Sequence, residues 1–361
     1  MTAKRKIRLA PETTENPVAT KPEADESSDL FDLPASQIKS ANTSWFWPNR
    51  LENSTVAIFQ GEKEAGKSTW LRYLAAVVTA GIPLPGERKK RKPTGSVLWY
   101  AGEEGLTTRV RPGLEAAGAD LDKCFLADCM GDDSGRQLQL PNDTKRLEER
   151  ILIRDARLVV IDPVFCFSDG TCDLEGPTGP AMHFMKEIGK VAAATKALII
   201  LSRNLTKDTS KGALASGRGS AVIGQVARSV LHVQALPGNT GLYALAVAAC
   251  NSGRKVPALT YTLEEKLGRA VIAVQGEAEI TADELLGGDD ADLDRSLLQR
   301  AKELIKSLLQ GGRLDSKVVK AKGEAAMISV RTLQSAAKAM GVRMQRSGSR
   351  ESTIVYWLPP K

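Results

Sequence analysis

Gly61-Glu62-Lys63-Glu64-Ala65-Gly66-Lys67-Ser68-Thr69 matches the pattern G-x-x-x-x-G-K-S of a phosphate-binding loop. A short β-prone run, Asn53 to Gln60, comes before it, and Trp70 to Ala80 predicts a helix after it. The glycines allow several backbone N–H groups to turn toward one anion, and the helix adds its positive amino end. We therefore expect residues 61–69 to bind ATP, with Lys67 at the β- and γ-phosphates and Ser68 on Mg²⁺.

A second candidate site residue ends a buried strand. Leu158-Val159-Val160-Ile161-Asp162 is apolar up to its last residue, which is typical of a strand covered on both faces in a parallel sheet. Ligands of open α/β sheets bind at this end of the strands, so Asp162 is the expected Mg²⁺-side carboxylate. Because Pro163 follows it, the base that polarises the attacking water must come from elsewhere. The candidates are Glu103 and Glu104, which follow the predicted strand Ser96 to Ala101.

Alternating β and α segments from residue 45 to about residue 275, with helices at Thr107 to Gly118 and Ala221 to Ser229 among them, predict a doubly wound α/β fold with a mostly parallel sheet. The expected domain boundaries are a disordered tail at 1–43, an ATPase domain at 44–278, an acidic linker at 279–295 and a small domain at 296–361. The tail is rich in Pro, Glu, Thr and Ser and lacks the apolar residues that a core requires. The aromatic run that follows it, residues 45–47, is expected to pack at the edge of the core, with base stacking as the alternative.

The C-terminal segment is basic, whereas the linker before it is acidic. Residues 296–361 contain 13 Lys or Arg and 4 Asp or Glu, a net charge of +9. Three predicted helices, Ser296 to Gln310, Ser316 to Ala325 and Ser329 to Met340, are followed by two short strands, which is the pattern of a winged helix. The third helix is then the candidate DNA recognition helix. The alternative is a winged helix that contacts protein.

Composition excludes several classes of protein. The chain has 361 residues, 42% hydrophobic and 5% aromatic, and a net charge of +7 that weakly favours a polyanionic partner. Its five cysteines show no C-x-x-C pair and only two histidines exist, so a zinc site or a disulfide framework is not expected. No apolar run approaches the ~20 residues of a membrane span. We expect a cytoplasmic protein without membrane contact.

With these residues placed, the chain resembles the RecA-like AAA-family ATPases of plasmids and phages, a group similar to the RepA-type hexameric replicative helicases. The resemblance covers about residues 45–358. The stretches that carry it are Trp45 to Arg50, Gly61 to Ser68, Val97 to Glu104, Arg109, Ala116 to Asp120, Val159 to Pro163, Leu201 to Lys207, Ser216 to Ser220, Ala227 to Val230 and Ile328 to Leu333.

The resemblance implies specific roles. Glu103 matches the catalytic base, Arg228 matches an arginine finger offered to the nucleotide of a neighbouring subunit, and Asn204 stands at the γ-phosphate sensor position. It also implies a homo-oligomer, with a hexamer as the candidate ring, and DNA as the partner. The chain departs from the family in three places. It has Lys63 and Glu64 where the family usually has Pro and Gly, and Asn204 where His is common.

Three functions follow from these expectations. The leading one is an oligomeric ATPase that acts on DNA in the replication of a mobile element, as a helicase or a related motor. The second is an ATP-dependent DNA-binding regulator or loader that does not unwind DNA. The third is a nucleotide-switched scaffold with negligible hydrolysis. Strand displacement separates the first from the second, and ATP turnover separates the second from the third.

Overall fold

The structure is a computed structural model. It describes residues 33–40, 42–87, 93–128, 137–169, 172–176, 178–206, 212–236, 241–286, 290–310, 312–326, 328, 330–346 and 354–357. The chain divides into two compact units, residues 1–42 and residues 43–361. Most of the predicted disordered tail lies outside the described residues, and the described part of the first unit has one short 3-10 turn, Ala35–Gln37. Every feature below belongs to the second unit.

The described elements up to residue 286 alternate between strands and helices. The strands are β1 (Trp45–Trp47), β2 (Leu51–Glu52), β3 (Val56–Gly61), β4 (Ser96–Ala101), β5 (Cys124–Asp128), β6 (Ala156–Asp162), β7 (Leu198–Asn204), β8 (Ser229–Ala235), β9 (Tyr243–Cys250), β10 (Ala258–Lys266) and β11 (Arg269–Ala278). The helices are α1 (Lys67–Ala80), α2 (Arg111–Ala117), α3 (Thr144–Ile153), α4 (Thr178–Thr195), α5 (Ala221–Val226) and α6 (Ala282–Leu286).

Nine of these strands form one sheet in the order β11-β10-β9-β8-β3-β7-β6-β4-β5. Neighbouring strands from β8 to β5 run parallel, whereas β9, β10 and β11 are added antiparallel at one side. The strand that leads into the phosphate loop, β3, lies between β8 and β7. The predicted α/β fold class with a mostly parallel sheet is confirmed.

Both faces of the sheet are covered by apolar side chains. On one face Ala57 and Phe59 of β3 pack with Trp70 and Leu74 of α1. On the other face Ile58 packs in a cluster with residues of α4. This alternation is what a strand buried on both faces requires, and it explains why the sequence of β3 is apolar without a polar face.

The aromatic run at residues 45–47 ends in the core. Trp47 is 2% exposed, and its ring lies 5.9 Å from that of Trp70, so packing rather than base stacking accounts for this residue.

Three segments differ from the sequence predictions. The single helix expected at Thr107 to Gly118 is a π turn, Leu106–Val110, followed by α2. The edge strand β11 was not predicted, although it contains the apolar run Ala270 to Val274; in the structure most of this strand is half-buried or exposed. The segment predicted as an acidic linker contains α6, whose residues Ala282, Leu285 and Leu286 are buried.

The C-terminal segment forms its own small core. Its elements are α7 (Asp290–Leu309), β12 (Leu314–Asp315), α8 (Ser316–Ala325), α9 (Val330–Ala339), β13 (Arg343–Arg346) and β14 (Ile354–Trp357). The strands form an antiparallel sheet in the order β12-β14-β13. Gly323 of α8 lets α9 approach closely, since a Cβ there would lie 2.3 Å from Leu333. This order of elements agrees with a winged helix, which stays a prediction; Ser329 and the wing tip 347–350 lie outside the described residues.

Candidate nucleotide-binding site

The phosphate loop joins β3 to α1 with the backbone conformation that anion binding needs. Gly66 has φ 84°, in the left-handed region, and α1 begins at Lys67 directly after it. Gly61 passes so close to β8 that a Cβ there would lie 2.0 Å from the carbonyl oxygen of Val233. Both glycines of the motif are therefore required by geometry. Glu64 also has a positive φ, 68°, at a position where the family resembled usually has glycine.

The charged residues inside the motif point away from the loop interior. Glu62, Lys63 and Glu64 are exposed, whereas Ala65 is buried. A carboxylate beside a triphosphate would oppose binding, and the exposure of these side chains places them in solvent, where that repulsion is screened. The unusual charges of this loop are thus compatible with an anion site formed by its backbone.

Lys67 lies across the start of the loop. Its Nζ donates to the carbonyl oxygens of Gly61 at 3.1 Å and Glu62 at 2.7 Å. Burial lowers the pKa of Lys67 below its usual value. The carboxylates of Asp162, Glu103 and Glu62 oppose that shift. The side chain is held where a phosphate oxygen could replace the carbonyls as its partner.

The two predicted Mg²⁺ ligands touch each other. Ser68 Oγ donates to Asp162 Oδ2 at 2.8 Å, although the residues are 94 positions apart in the chain. A hydroxyl and a carboxylate oxygen at this separation are the hard oxygen donors that Mg²⁺ prefers, next to a loop that binds phosphates. The donor set fits the ion that the motif implies.

The geometry favours Glu103 over Glu104 as the base. Glu104 forms an ion pair with Arg72 of α1, with the side chains 32% and 11% exposed. Glu103 is exposed, and its carboxylate acts electrostatically on Lys67. The turn that carries both is tied to the Mg²⁺-side strand, because the N–H of Gly102 donates to the carbonyl of Asp162 at 2.7 Å. Arg72 therefore holds the carboxylate of Glu104 in an ion pair, and Glu103, whose carboxylate acts on Lys67, stays the expected base.

Asn204 is the last residue of β7 and lies opposite Gly61, the first residue of the phosphate loop. Its side chain is half-buried, and its carbonyl oxygen accepts a hydrogen bond from the N–H of Arg218 at 2.7 Å. The sensor position implied by the family resemblance is thus adjacent to the loop. The loop after β7 folds back on it, with Leu205 bridging to Gly217.

Arg228 lies at the amino ends of the parallel strands, opposite the carboxyl edge that carries the phosphate loop. It precedes β8, its N–H donates to the carbonyl of Val56 at 3.1 Å, and its side chain is exposed. Val56 begins β3 and Gly61 ends it. At ~3.3 Å per residue, Arg228 is about 16 Å from the phosphate loop of the same chain. The predicted helix Ala221 to Ser229 ends earlier than expected, at Val226.

Sequence reasoning did not identify Tyr261, which supports the phosphate loop from below. Its hydroxyl donates to the carbonyl oxygen of Ala65 at 2.5 Å in a fully buried contact. Its ring stacks on Tyr243 at 5.6 Å and meets the edge of Trp70 at 5.2 Å. Burial raises the pKa of Tyr261 above its usual value, so the hydroxyl stays protonated and able to donate. No local sequence signal connects two residues that are 196 positions apart.

Among the described residues, every helix is too short or too polar to span a membrane. In the same residues no three His, Cys, Asp or Glu side chains group into a metal-binding cluster. Cys124, Cys166, Cys172 and Cys250 are free thiols, and burial raises the pKa of Cys124 to about 11.

Comparison with known proteins identifies the family. Residues 22–210, more than half of the chain, match the family described as AAA domain. No curated protein matches the chain. Among solved structures, the flagellar accessory protein FlaH from Methanocaldococcus jannaschii is similar at 14% identity, with 62% of this chain and 90% of that chain covered and a TM-score of 0.41. By the family match and by the phosphate loop, Ser68 and Asp162 at the carboxyl edge of its parallel sheet, the chain belongs to the AAA-domain family of P-loop ATPases.

Proposed function

We propose that this protein is an oligomeric, Mg²⁺-dependent ATPase that acts on DNA, as a RepA-like helicase or a related motor in the replication of a mobile element. The ATPase half rests on one observation above the others, the 2.8 Å hydrogen bond between Ser68 and Asp162 beside Lys67. ATP would lie on the loop N–H groups and Lys67, and Mg²⁺ on Ser68 and Asp162. The ion would neutralise charge that develops on the transferred phosphoryl group.

Three further residues have separate proposed roles in hydrolysis, namely Glu103, Asn204 and Arg228. Glu103 is placed to accept the proton of the attacking water, and Asn204 can donate a hydrogen bond to a phosphate oxygen at the end of β7. Since Asn204 carries no charge, a second positive charge at the γ-phosphate, beside that of Lys67, has to come from another group. Arg228 of a neighbouring subunit is the proposed source, which makes an oligomer, with a hexamer as the candidate ring, part of the proposal.

The DNA half of the proposal is supported by the C-terminal segment. Residues 296–361 carry a net charge of +9, which exceeds the +7 of the whole chain, so the chain's basic excess is concentrated there. Helix α9 buries Leu333, Ala336 and Ala337 and exposes Gln334 and Lys338, with Val330 on the same outer face. An exposed polar helix in a basic segment is the usual arrangement for contacts to bases and phosphates.

A DNA-stimulated ATPase assay tests both halves together. We expect the full chain to hydrolyse ATP, Lys67→Ala to lose hydrolysis because the triphosphate charge is left uncompensated, and duplex or forked DNA to stimulate the wild-type rate. Removal of two exposed cations, Lys338→Ala with Arg343→Ala, should weaken DNA binding and reduce its salt dependence, because each phosphate contact releases counterions. The matched control removes two exposed lysines of α4, Lys186 and Lys190, and should leave both unchanged.

The outcomes separate the competing functions. Strand displacement on a forked duplex supports the motor, and stimulated hydrolysis without displacement identifies a regulator or loader. Unchanged hydrolysis in Lys67→Ala contradicts the ATPase assignment. Absence of DNA binding at low salt leaves the C-terminal segment as a protein-contact module and removes the DNA half.

A further inference from the structure

A fully buried arginine lies next to the candidate site. Arg203, the residue before Asn204, is 0% exposed. Its Nε and Nη2 donate to Gln60 Oε1 at 3.0 Å and 2.7 Å. Its other acceptors are the carbonyl oxygens of Leu214 at 3.3 Å and Arg218 at 3.5 Å. All of these acceptors are neutral, and no carboxylate among the described residues pairs with the guanidinium.

Burial lowers the pKa of Arg203 to about 10, so the guanidinium is still charged at neutral pH. An uncompensated buried charge is costly for a folded protein, since its hydration is lost without an opposite charge in return. Such a cost is expected where the charge serves a ligand.

The fold provides space for this guanidinium with two glycines. A Cβ at Gly217 would lie 2.0 Å from Arg203 Nε, and a Cβ at Gly224 would lie 2.9 Å from Nη2. Neither glycine has a positive φ, so small size rather than backbone freedom accounts for both. The charged side chain thus occupies a cavity shaped for it.

The cavity lies beside the end of β3, the strand that leads into the phosphate loop. Arg203 pairs in register with Gln60, the residue before Gly61. Gln60 points to the face of the sheet that Ile58 shares with α4, opposite the face on which α1 packs. The neighbouring His232 on β8 is in register with Gln60 and is also fully buried, and burial lowers its pKa, so it adds no charge at neutral pH. Arg203 is therefore the cation of this buried row.

The fixed groups around the phosphates carry an excess of negative charge, which the guanidinium of Arg203 can offset. Three carboxylates, those of Asp162, Glu103 and Glu62, act on the single ammonium of Lys67. The guanidinium of Arg72 is already paired with Glu104. In the absence of Mg²⁺, a polyphosphate that binds here therefore meets two carboxylates at the strand ends, those of Asp162 and Glu103, and one ammonium, that of Lys67. A cation in the low-dielectric layer below the loop would attract it without a direct contact.

We propose that Arg203 contributes to nucleotide binding as a buried, uncompensated charge whose attraction grows with the number of phosphates on the ligand. The inference rests on the proposed function, since it assumes that the loop binds a nucleotide. Arg203 acts through space and through the placement of Gln60 and the 213–218 loop, and is therefore a positioning residue. If Arg203 acted only through its hydrogen bonds, by holding the 213–218 loop in place, its loss would lower the affinity for all nucleotides equally.

The test compares the affinities of AMP, ADP and ATP in the absence of divalent ions, measured by calorimetry on the full chain. Arg203→Gln removes the charge and keeps an amide that can hydrogen-bond. We expect its affinity to fall by less than about twofold for AMP and by about tenfold for ATP, with ADP between them, as a charge interaction in a medium of intermediate dielectric predicts. The loss should persist at high salt, because buried charges are screened much less than exposed ones.

Two variants separate the effect of the Arg203 charge from the effect of its hydrogen bonds to the 213–218 loop. Gly217→Ala displaces the guanidinium and disturbs the loop while the charge is kept, so any loss should be similar for the three nucleotides. Arg203→Lys also keeps the charge and should preserve the wild-type ratio of ATP to AMP affinity, and it supplies the test if Arg203→Gln does not fold. Arg111→Gln, at an exposed arginine paired with Glu115, is the control for loss of one cation and should change nothing.

The results distinguish this inference from the proposed function. Equal losses for AMP, ADP and ATP in Arg203→Gln, or a changed affinity ratio in Arg203→Lys, would overturn the role of the charge and leave nucleotide binding intact. A folded wild-type chain that binds none of the three nucleotides, or that binds them as well after Lys67→Ala, would instead overturn the proposed function.

Discussion

Replacement of Tyr261 by phenylalanine isolates one atom that supports the phosphate loop. The hydroxyl donates to the Ala65 carbonyl at 2.5 Å, and the ring is fixed by Tyr243 and Trp70. Phenylalanine keeps that packing and leaves the carbonyl without its donor. An unsatisfied buried acceptor costs about 1–3 kcal/mol, which corresponds to about 5- to 150-fold in an equilibrium constant.

That cost can be expressed in two measurable quantities. If the Ala65 carbonyl stays buried, the free energy of unfolding falls by the whole amount. If the carbonyl turns toward water in the free protein, stability falls less, but nucleotide binding must turn it back because a carbonyl oxygen in the loop repels phosphate. The decrease in unfolding free energy and the decrease in ADP binding free energy should then add up to about 1–3 kcal/mol.

Denaturant unfolding and calorimetric titration with ADP measure the two terms. Tyr243→Phe is the matched control, because the same atom is removed from the ring that stacks on Tyr261. We expect this variant to change both quantities by less than Tyr261→Phe does. A Tyr261→Phe protein with wild-type stability and wild-type ADP affinity would refute the view that this hydroxyl orients the loop.

Three further predictions concern the site itself. Glu103→Gln should bind ATP and lose turnover, because glutamine cannot accept the water's proton, whereas Glu104→Gln should retain turnover at reduced stability since it breaks only the pair with Arg72; an inactive Glu104→Gln beside an active Glu103→Gln would reverse the assignment. Asp162→Asn should raise the Mg²⁺ concentration needed for half-maximal hydrolysis, and an unchanged Mg²⁺ dependence would exclude a role for Asp162 in holding the ion. Arg228→Ala should bind ATP but lose hydrolysis, by up to the ~10³–10⁵ known for arginine fingers in other NTPases, and mixing with Lys67→Ala protein should restore activity; absence of rescue would refute the action of Arg228 on the nucleotide of a neighbouring subunit.

The sequence was sufficient for the parts of the site that depend on local spacing. Lys67 and Ser68 are assigned by the motif, and Asp162 by its place at the end of an apolar strand. Their proximity was expected because the carboxyl ends of parallel strands meet at one edge of the sheet. The supporting contacts could not be predicted in this way. Tyr261 meets Ala65 across 196 positions, and Arg203 meets Gln60 across 143. Such pairs depend on which strands become neighbours and on side-chain packing, for which one sequence has no periodic signal.

The choice between Glu103 and Glu104 shows the same limit. Both follow the same strand, and the sequence alone gives them equal standing. Arg72 lies on the buried side of α1 and pairs with Glu104 only. This pairing depends on how α1 packs against the sheet, which the sequence does not give. The edge strand β11 and the short helix α6 were missed although each carries apolar residues, because Ala270 to Val274 and Ala282 to Leu286 are short and lie between strongly polar neighbours.

The place of Arg228 restricts how this ATPase could complete its site. About 16 Å of sheet separates it from the phosphate loop of its own chain, and an extended arginine side chain reaches roughly 7 Å from its Cα. Arg228 therefore has no route to its own nucleotide while β3 and β8 remain paired. Any action on a nucleotide has to take place in a second copy, whose loop edge would face the Arg228 edge of the first. An interface that joins opposite edges is head-to-tail, and repetition of such an interface gives a ring or a filament rather than a two-fold dimer. The proposed oligomer follows from this geometry once a role for Arg228 in hydrolysis is demonstrated.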